Sequence, residues 1–219
     1  MGVKIMNPYK EFINWNERKR LIIDYDQNPE SPRTSFSNLM KFYTFESRRY
    51  SPDEHDFNGV VQGLATLLGE KVYTIHDEEN STDSFFERVV KLALEKEIYL
   101  TPISCLDHSV LKYFAGVDYG WDTGCVGYMY ATKKDVQNWF GNGKNWQENA
   151  ANAVEGELKT YNQFVNGEIY MYYLYDENDC IEDQLCDIYA DSEKELFEVF
   201  RDCAGISLND ENWKEIQRG

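Results

Sequence analysis

Histidines are few, and the cysteines lack the spacing of a metal site. The chain has three histidines and five cysteines in 219 residues, with no Cys-x-x-Cys pair. An odd number of cysteines without such a pair favours reduced thiols over a disulfide framework or a structural zinc site. No apolar run approaches the about 18 residues that a membrane-spanning helix needs, and none follows a basic start as in a signal peptide. The sequence therefore predicts a cytoplasmic protein that binds no membrane.

Basic residues are also scarce. The chain has 22 lysines and arginines against 39 aspartates and glutamates, a formal charge of −17. The last 44 residues contain 14 acidic and 4 basic residues, whereas residues 1–20 carry five bases and two acids, so the two ends are expected to attract each other. Because the summed field of a protein steers association, such a chain repels nucleic acid and attracts basic protein surfaces.

Short apolar runs alternate with helical patterns along the chain. The predicted strands lie near residues 20–26, 39–49, 98–106, 110–114, 125–131, 168–175 and 181–189. Three predicted helices lie near residues 57–69, 135–140 and 145–165. Two further predicted helices begin at the capping boxes Ser84-x-x-Glu87 and Ser192-x-x-Glu195. This order predicts an α+β fold, mostly an antiparallel sheet with helices inserted between strand pairs in a single domain. The predicted organisation is a basic N-terminal segment over 1–20, the α+β domain over 21–205 and a C-terminal tail over 206–219.

Three stretches carry distinctive motifs. They are Asp-Gln-Asn-Pro-Glu-Ser-Pro-Arg at 26–33 with Arg48-Arg49-Tyr50 and His55-Asp56-Phe57, Leu-Asp-His-Ser at 106–109 with Trp-Asp-Thr-Gly-Cys-Val-Gly at 121–127, and the segment 157–170. Together they resemble a family of uncharacterised proteins carried by phages and mobile elements of Firmicutes, over roughly residues 20–190. Val110 stands where that family has a glycine. The resemblance implies a phage or mobile-element setting rather than a reaction.

The acidic C-terminal part predicts a partner-binding surface. Its assigned residues are Asp176, Glu177, Asp179, Glu182, Asp183, Asp187 and Asp191, with Tyr173 and Tyr175 as packing anchors. Carboxylates arrayed along a hairpin can imitate duplex phosphates, which supply about one charge per 1.7 Å of axis. The leading hypothesis is an anti-defence protein that inhibits a host CRISPR or restriction nuclease by occupying its basic groove. The other interpretation is that this run of acidic residues is simply a solvent-exposed face of the protein.

A His/Asp pocket is the alternative site. The pocket consists of His55, Asp107, His108 and Asp122. Nitrogen and oxygen ligands for a divalent metal could come from His55-Asp56, His76-Asp77-Glu78-Glu79 and Asp107-His108 if the fold gathered them. The alternative function is then a metal-assisted hydrolase or nucleotide-processing enzyme. No motif of fixed metal-ligand spacing occurs, so no catalytic residue, metal ligand or cofactor is assigned and a binding protein is favoured over an enzyme. A third hypothesis, self-association, leaves the oligomeric state open.

Overall fold

The computed structural model describes residues 8–72, 82–208 and 211–217. In that part of the chain nine strands form two antiparallel sheets accompanied by helices, which confirms the predicted α+β class. None of the helices in the described part is long and apolar enough to cross a membrane.

Backbone contacts divide the chain into two compact units. The first unit combines residues 1–31 with 163–219, and the second comprises 32–162. The first unit is therefore built from both ends of the chain, and the division falls at positions that the sequence did not mark. The antiparallel strands form one sheet in each unit, and pairing in the first unit joins segments that are distant in sequence.

The sheet of the first unit has five strands in the order β8-β7-β2-β1-β9. Its strands are β1 Lys10–Asn14, β2 Lys19–Tyr25, β7 Tyr170–Tyr175, β8 Ile181–Ile188 and β9 Trp213–Glu215. The predicted N-terminal segment and C-terminal tail thus each contain a strand, and β1 pairs with β9 through Phe12↔Glu215 and Asn14↔Trp213. Both strands were missed because their sequences, KEFIN and WKE, contain too few apolar residues to show an alternating pattern.

One face of this sheet carries the core of the first unit. Leu21 and Ile23 of β2 and Tyr172 of β7 pack there against Leu196 and Phe200 of helix α6. The helix, Glu193–Ala204, begins where the Ser192 hydroxyl accepts the Glu195 N–H, as its capping box predicts. Its inner residues are spaced by four, so they lie on one face of the helix and remain buried.

The sheet of the second unit has four strands in the order β3-β6-β4-β5. Its strands are β3 Lys41–Thr44, β4 Ile98–Asp107, β5 Leu111–Ala115 and β6 Thr123–Thr132. The helices that accompany it are α1 Pro32–Ser35, α2 Val60–Leu68, α3 Thr82–Glu95, α4 Lys133–Phe140 and α5 Trp146–Asn166. The helix α3 begins two residues before Ser84, so Ser84 lies inside the helix rather than at its cap.

Both faces of this second sheet are packed. On one face Leu64 of α2 and Phe86 of α3 join Tyr128 of β6 in a buried cluster. On the other face Phe42 of β3 makes an edge-to-face contact with Tyr161 of α5, with ring centroids 5.4 Å apart. Two covered faces give this unit a continuous core and leave polar chemistry to its loops and strand ends.

The five cysteines are free and differ in reactivity. Burial raises the pKa of the Cys105 and Cys125 thiols to about 11, whereas Cys180, Cys186 and Cys203 are exposed. Because only the thiolate attacks, we expect a maleimide at about pH 7.5 to modify the exposed Cys180 and Cys203 rapidly. Cys186 should react more slowly, because partial burial and the neighbouring Asp187 carboxylate raise the pKa of its thiol. The remaining two should react only in denaturant, as intact-protein mass spectrometry would show. Five rapid additions would contradict the placement of Cys105 and Cys125.

Candidate functional site

The two strands β7 and β8 form the predicted hairpin, here called the acidic hairpin, residues 170–188. Its turn is held by Asp176, whose carboxylate accepts the N–H groups of Asn178 and Cys180, each at 2.8 Å. Those hydrogen bonds, led by the one from Cys180, hold the pKa of Asp176 below its usual value. Asp176 therefore fixes the turn, which is a structural role that the sequence did not predict.

Three further hairpin carboxylates form ion pairs with the basic N-terminal segment. Their pairs are Glu177 with Arg18 at 3.0 Å, Glu182 with Lys19 at 2.9 Å and Asp179 with Arg20 at 2.8 Å. The basic start and the acidic end of the chain were expected to attract each other. In the structure, the basic residues of β2 and of the turn before it form ion pairs with the acidic hairpin. These pairs are largely exposed, so they add little stability.

The remaining three carboxylates of the predicted surface also have partners within the first unit. Asp183 accepts the Tyr172 hydroxyl at 2.6 Å, and Asp187 accepts the Glu30 N–H at 2.7 Å. Asp191 accepts a longer hydrogen bond from Gln163, at 3.4 Å. Each carboxylate of the predicted surface therefore has a hydrogen-bond or ion-pair partner within the first unit.

The two tyrosines predicted as packing anchors for a partner are more buried than that role requires. Tyr175 is 2% exposed and lies under the Arg20 guanidinium, 4.7 Å from ring centroid to carbon, so it packs within the unit and cannot contact a partner. Tyr173 is half-buried. The exposed apolar residues of the hairpin are instead Ile181 and Leu185, 44% and 36% exposed on the outer strand β8. Strand alternation alone could not identify them, because the register between β7 and β8 shifts twice.

The acidic charge is concentrated in the first unit. Its 88 residues contain twenty acidic and nine basic residues, a formal charge of −11, against −6 for the 131 residues of the second unit. Internal ion pairs redistribute this charge without cancelling it. The first unit therefore presents a negative field whatever the pairing of individual carboxylates.

Comparison with known proteins does not identify this site. No protein-family model, no curated protein and no solved structure matches the chain. Its function has to be argued from its own residues.

The structure brings three residues of the alternative pocket together in the second unit. The Asp107 N–H donates to the Asp122 carbonyl at 3.0 Å, and His108 Nε2 lies 4.0 Å from an Asp122 carboxylate oxygen. They lie at the turn after β4 and in the loop before β6. The imidazole of His108 is 73% exposed, so most of it faces solvent.

His55, the fourth residue of that pocket, lines a cleft beside the end of β3. Arg49 also lines this cleft and donates to the Asp107 carboxylate at 2.9 Å while pairing with Glu46. Arg49 thus connects the Asp107 turn with the His55 cleft. Sequence reasoning missed Glu46 and Arg49 as site residues, because their pairing follows from the fold and not from any motif.

The candidate metal ligands do not converge among the described residues. The run His76–Glu79 lies outside them. Within residues 8–72, 82–208 and 211–217, one group of three ligand atoms lies within 4.8 Å of one another, from Asp26, Cys186 and Asp187. Asp26 accepts the Asp187 N–H and Asp187 accepts the Glu30 N–H, so backbone hydrogen bonds account for the position of both carboxylates.

Proposed function

We propose that this protein binds the basic, nucleic-acid-binding surface of a partner protein and thereby inhibits it. The observation that carries the proposal is the formal charge of −11 in the first unit, together with a hairpin whose carboxylates are held by internal partners. The partner is a host nucleic-acid-acting defence complex, a CRISPR or restriction nuclease, in keeping with the phage and mobile-element resemblance.

A preorganised acidic surface suits this role for two physical reasons. Fixed carboxylates lose little conformational freedom on binding, so less of the interaction energy is spent on ordering side chains. A negative field also accelerates encounter with a basic groove, and like charge keeps nucleic acid away from the same surface. Ile181 and Leu185 add apolar contact on the outer strand of the hairpin.

Charge reversal in the acidic hairpin tests the proposal. The variant Glu177→Lys/Glu182→Lys removes two exposed carboxylates from the hairpin and leaves the turn formed by Asp176 intact. We expect its affinity for a sensitive nuclease to fall about tenfold or more at about 0.1 M salt, because each reversal replaces attraction with repulsion. Surface plasmon resonance against a panel of purified CRISPR and restriction nucleases measures this. Duplex DNA should compete for the same nuclease surface.

Two controls accompany that experiment. Glu95→Lys/Glu97→Lys makes the same charge change in the second unit and should alter affinity less than the hairpin variant does. His108→Ala should leave inhibition unchanged, whereas the hydrolase alternative requires it to abolish activity. If no nuclease of the panel binds, or if the hairpin variant binds as tightly as the wild type while its circular dichroism is native, the proposal is wrong.

A further inference from the structure

A cleft in the second unit lies between the start of β3 and helix α4, and we call it the β3–α4 cleft. Its volume is about 380 Å³, within the range of about 300–1,000 Å³ that is common for small-molecule sites. All of the residues that line it belong to the second unit. The cleft therefore has room for one small molecule and is formed without the acidic hairpin.

The cleft has two walls. One wall is the sheet, where Lys41 of β3 lies directly opposite Tyr130 of β6, so their side chains share one face. The other wall is α4, whose cleft residues are Asp135, Asn138 and Trp139. Spacings of three and four residues place these three on one side of the helix. Both elements thus direct side chains towards the same space.

The cleft contains one positive and one negative charge, from Lys41 and Asp135. The Asp135 carboxylate is positioned by the cap of α4, because it accepts the N–H and the hydroxyl of Thr132, at 3.3 Å and 2.5 Å. Lys41 forms no ion pair, with Asp135 or with any other carboxylate, within the described ranges 8–72, 82–208 and 211–217. Two opposite charges therefore line the cleft without direct contact between them.

Aromatic rings and unused hydrogen-bonding groups complete the lining. The side chain of Trp139 is 51% exposed although it borders the cleft. Burial, a hydrogen bond with Tyr43 and nearby carboxylates that include Asp135 raise the pKa of Tyr130, so its hydroxyl is neutral. In the described part of the chain, the Asn138 amide and the Trp139 indole N–H have no hydrogen-bond partner. The cleft thus offers a flat apolar surface beside free polar groups.

The pair of opposite charges restricts the class of ligand. A ligand that enters the cleft removes water from both Lys41 and Asp135, and a charge that loses water without gaining a partner is costly. An anion would compensate Lys41 alone, and a cation would compensate Asp135 alone. A zwitterion compensates both, and the ring of Trp139 favours one that also carries an aromatic group.

We propose that the β3–α4 cleft binds a free α-amino acid with an aromatic side chain. Its carboxylate pairs with Lys41, its ammonium group pairs with Asp135, and its side chain packs against Trp139. The Asn138 amide can donate to the carboxylate as well. The site is separate from the acidic hairpin and does not depend on nuclease inhibition.

Titration of the ¹⁵N-labelled protein by NMR compares four probes. L-Phenylalanine has both charges and the ring, L-phenylalaninamide lacks the carboxylate, N-acetyl-L-phenylalanine lacks the ammonium group, and L-alanine lacks the ring. We expect phenylalanine to bind and each of the other three to bind about tenfold more weakly or not at all. Equal affinity for all four probes, or no binding of phenylalanine at millimolar concentrations, overturns the proposal.

Two variants assign each charge of the ligand to its partner. Lys41→Met should weaken phenylalanine binding about tenfold and leave phenylalaninamide binding unchanged, because that probe has no carboxylate for Lys41 to pair with. Asp135→Asn retains an oxygen that can cap α4, and it should weaken phenylalanine binding without affecting N-acetylphenylalanine. If each variant weakens every probe equally, or weakens none, the assignment of the charges is wrong.

A control variant separates the cleft from the general effect of losing a lysine. Lys112→Met removes an exposed lysine of β5 that lies outside the lining, so phenylalanine binding should be unchanged. A loss equal to that of Lys41→Met would contradict the site. All three variants leave the acidic hairpin untouched, so nuclease inhibition should persist in them, and the two proposals can fail separately.

Discussion

Replacement of Arg33 by methionine is expected to lower the free energy of unfolding by about 3–5 kcal/mol. The Arg33 side chain is 2% exposed and donates to both oxygens of Asp53, at 3.0 Å and 2.8 Å, and to Glu157 at 2.6 Å. Burial alone would lower the pKa of Arg33, but Asp53 and Glu157 raise it above its usual value, so the pair of carboxylates holds the guanidinium charged.

The expected loss of stability is large because both carboxylates also accept hydrogen bonds from the backbone. Asp53 also accepts the Phe42 N–H at 2.7 Å, and Glu157 accepts the Leu39 and Met40 N–H groups at 2.8 Å and 3.0 Å. Without Arg33 both carboxylates remain mostly buried with no compensating cation. The network joins α1, β3 and α5, so its loss affects the whole second unit.

A control substitution at an exposed arginine separates the loss of the buried network from the general effect of replacing an arginine by methionine. Arg48→Met changes an exposed side chain fifteen residues further along the chain and should cost well under about 1 kcal/mol. Urea unfolding followed by circular dichroism measures both variants. A cost for Arg33→Met as small as that for Arg48→Met would contradict the buried network.

Replacement of Gly127 by alanine is expected to destabilise the protein by about 3 kcal/mol, at the upper end for an overpacked site. A Cβ at Gly127 would clash with the Tyr43 carbonyl oxygen and lie 2.8 Å from Thr44 Cα, both backbone atoms of the neighbouring strand β3. Backbone atoms cannot rotate away as a side chain can. The substitution therefore has to separate β3 from β6.

Gly124→Ala is the matched control on the same strand. A Cβ there meets nothing within 4 Å, so the substitution should be neutral or slightly stabilising, because alanine restricts the unfolded chain. Thermal unfolding of the two variants compares them directly. Similar melting temperatures would mean that β3 and β6 do not approach as closely as described.

Local patterns predicted most elements of the fold. The buried residues of α5, Ala150, Val154, Leu158 and Tyr161, recur at the helical spacing read from the sequence. The hairpin of β7 and β8 likewise follows from two apolar runs around the turn that Asp176 begins. These features depend on neighbours in sequence, which is why one sequence suffices to predict them.

Long-range pairing could not be predicted in the same way. The strands β1 and β9 are recognisable only when they are paired, because neither has enough alternation alone. The partners of Glu177, Glu182 and Arg33 are more than a hundred residues away or come from another element. The same holds for the cleft that His55 lines, because its wall depends on how His55 packs against Phe45 and Phe57.

The pairing of β1 with β9 has a consequence for the order in which the chain is made. During synthesis the complete sequence of the second unit is available once residue 162 has emerged, whereas the sheet of the first unit lacks β7, β8 and β9 until later. Residues 10–25 must therefore remain without their neighbours β7 and β9 while more than a hundred residues are added. Folding of the first unit therefore waits until β9 has been made, and its earliest strands depend on its last ones.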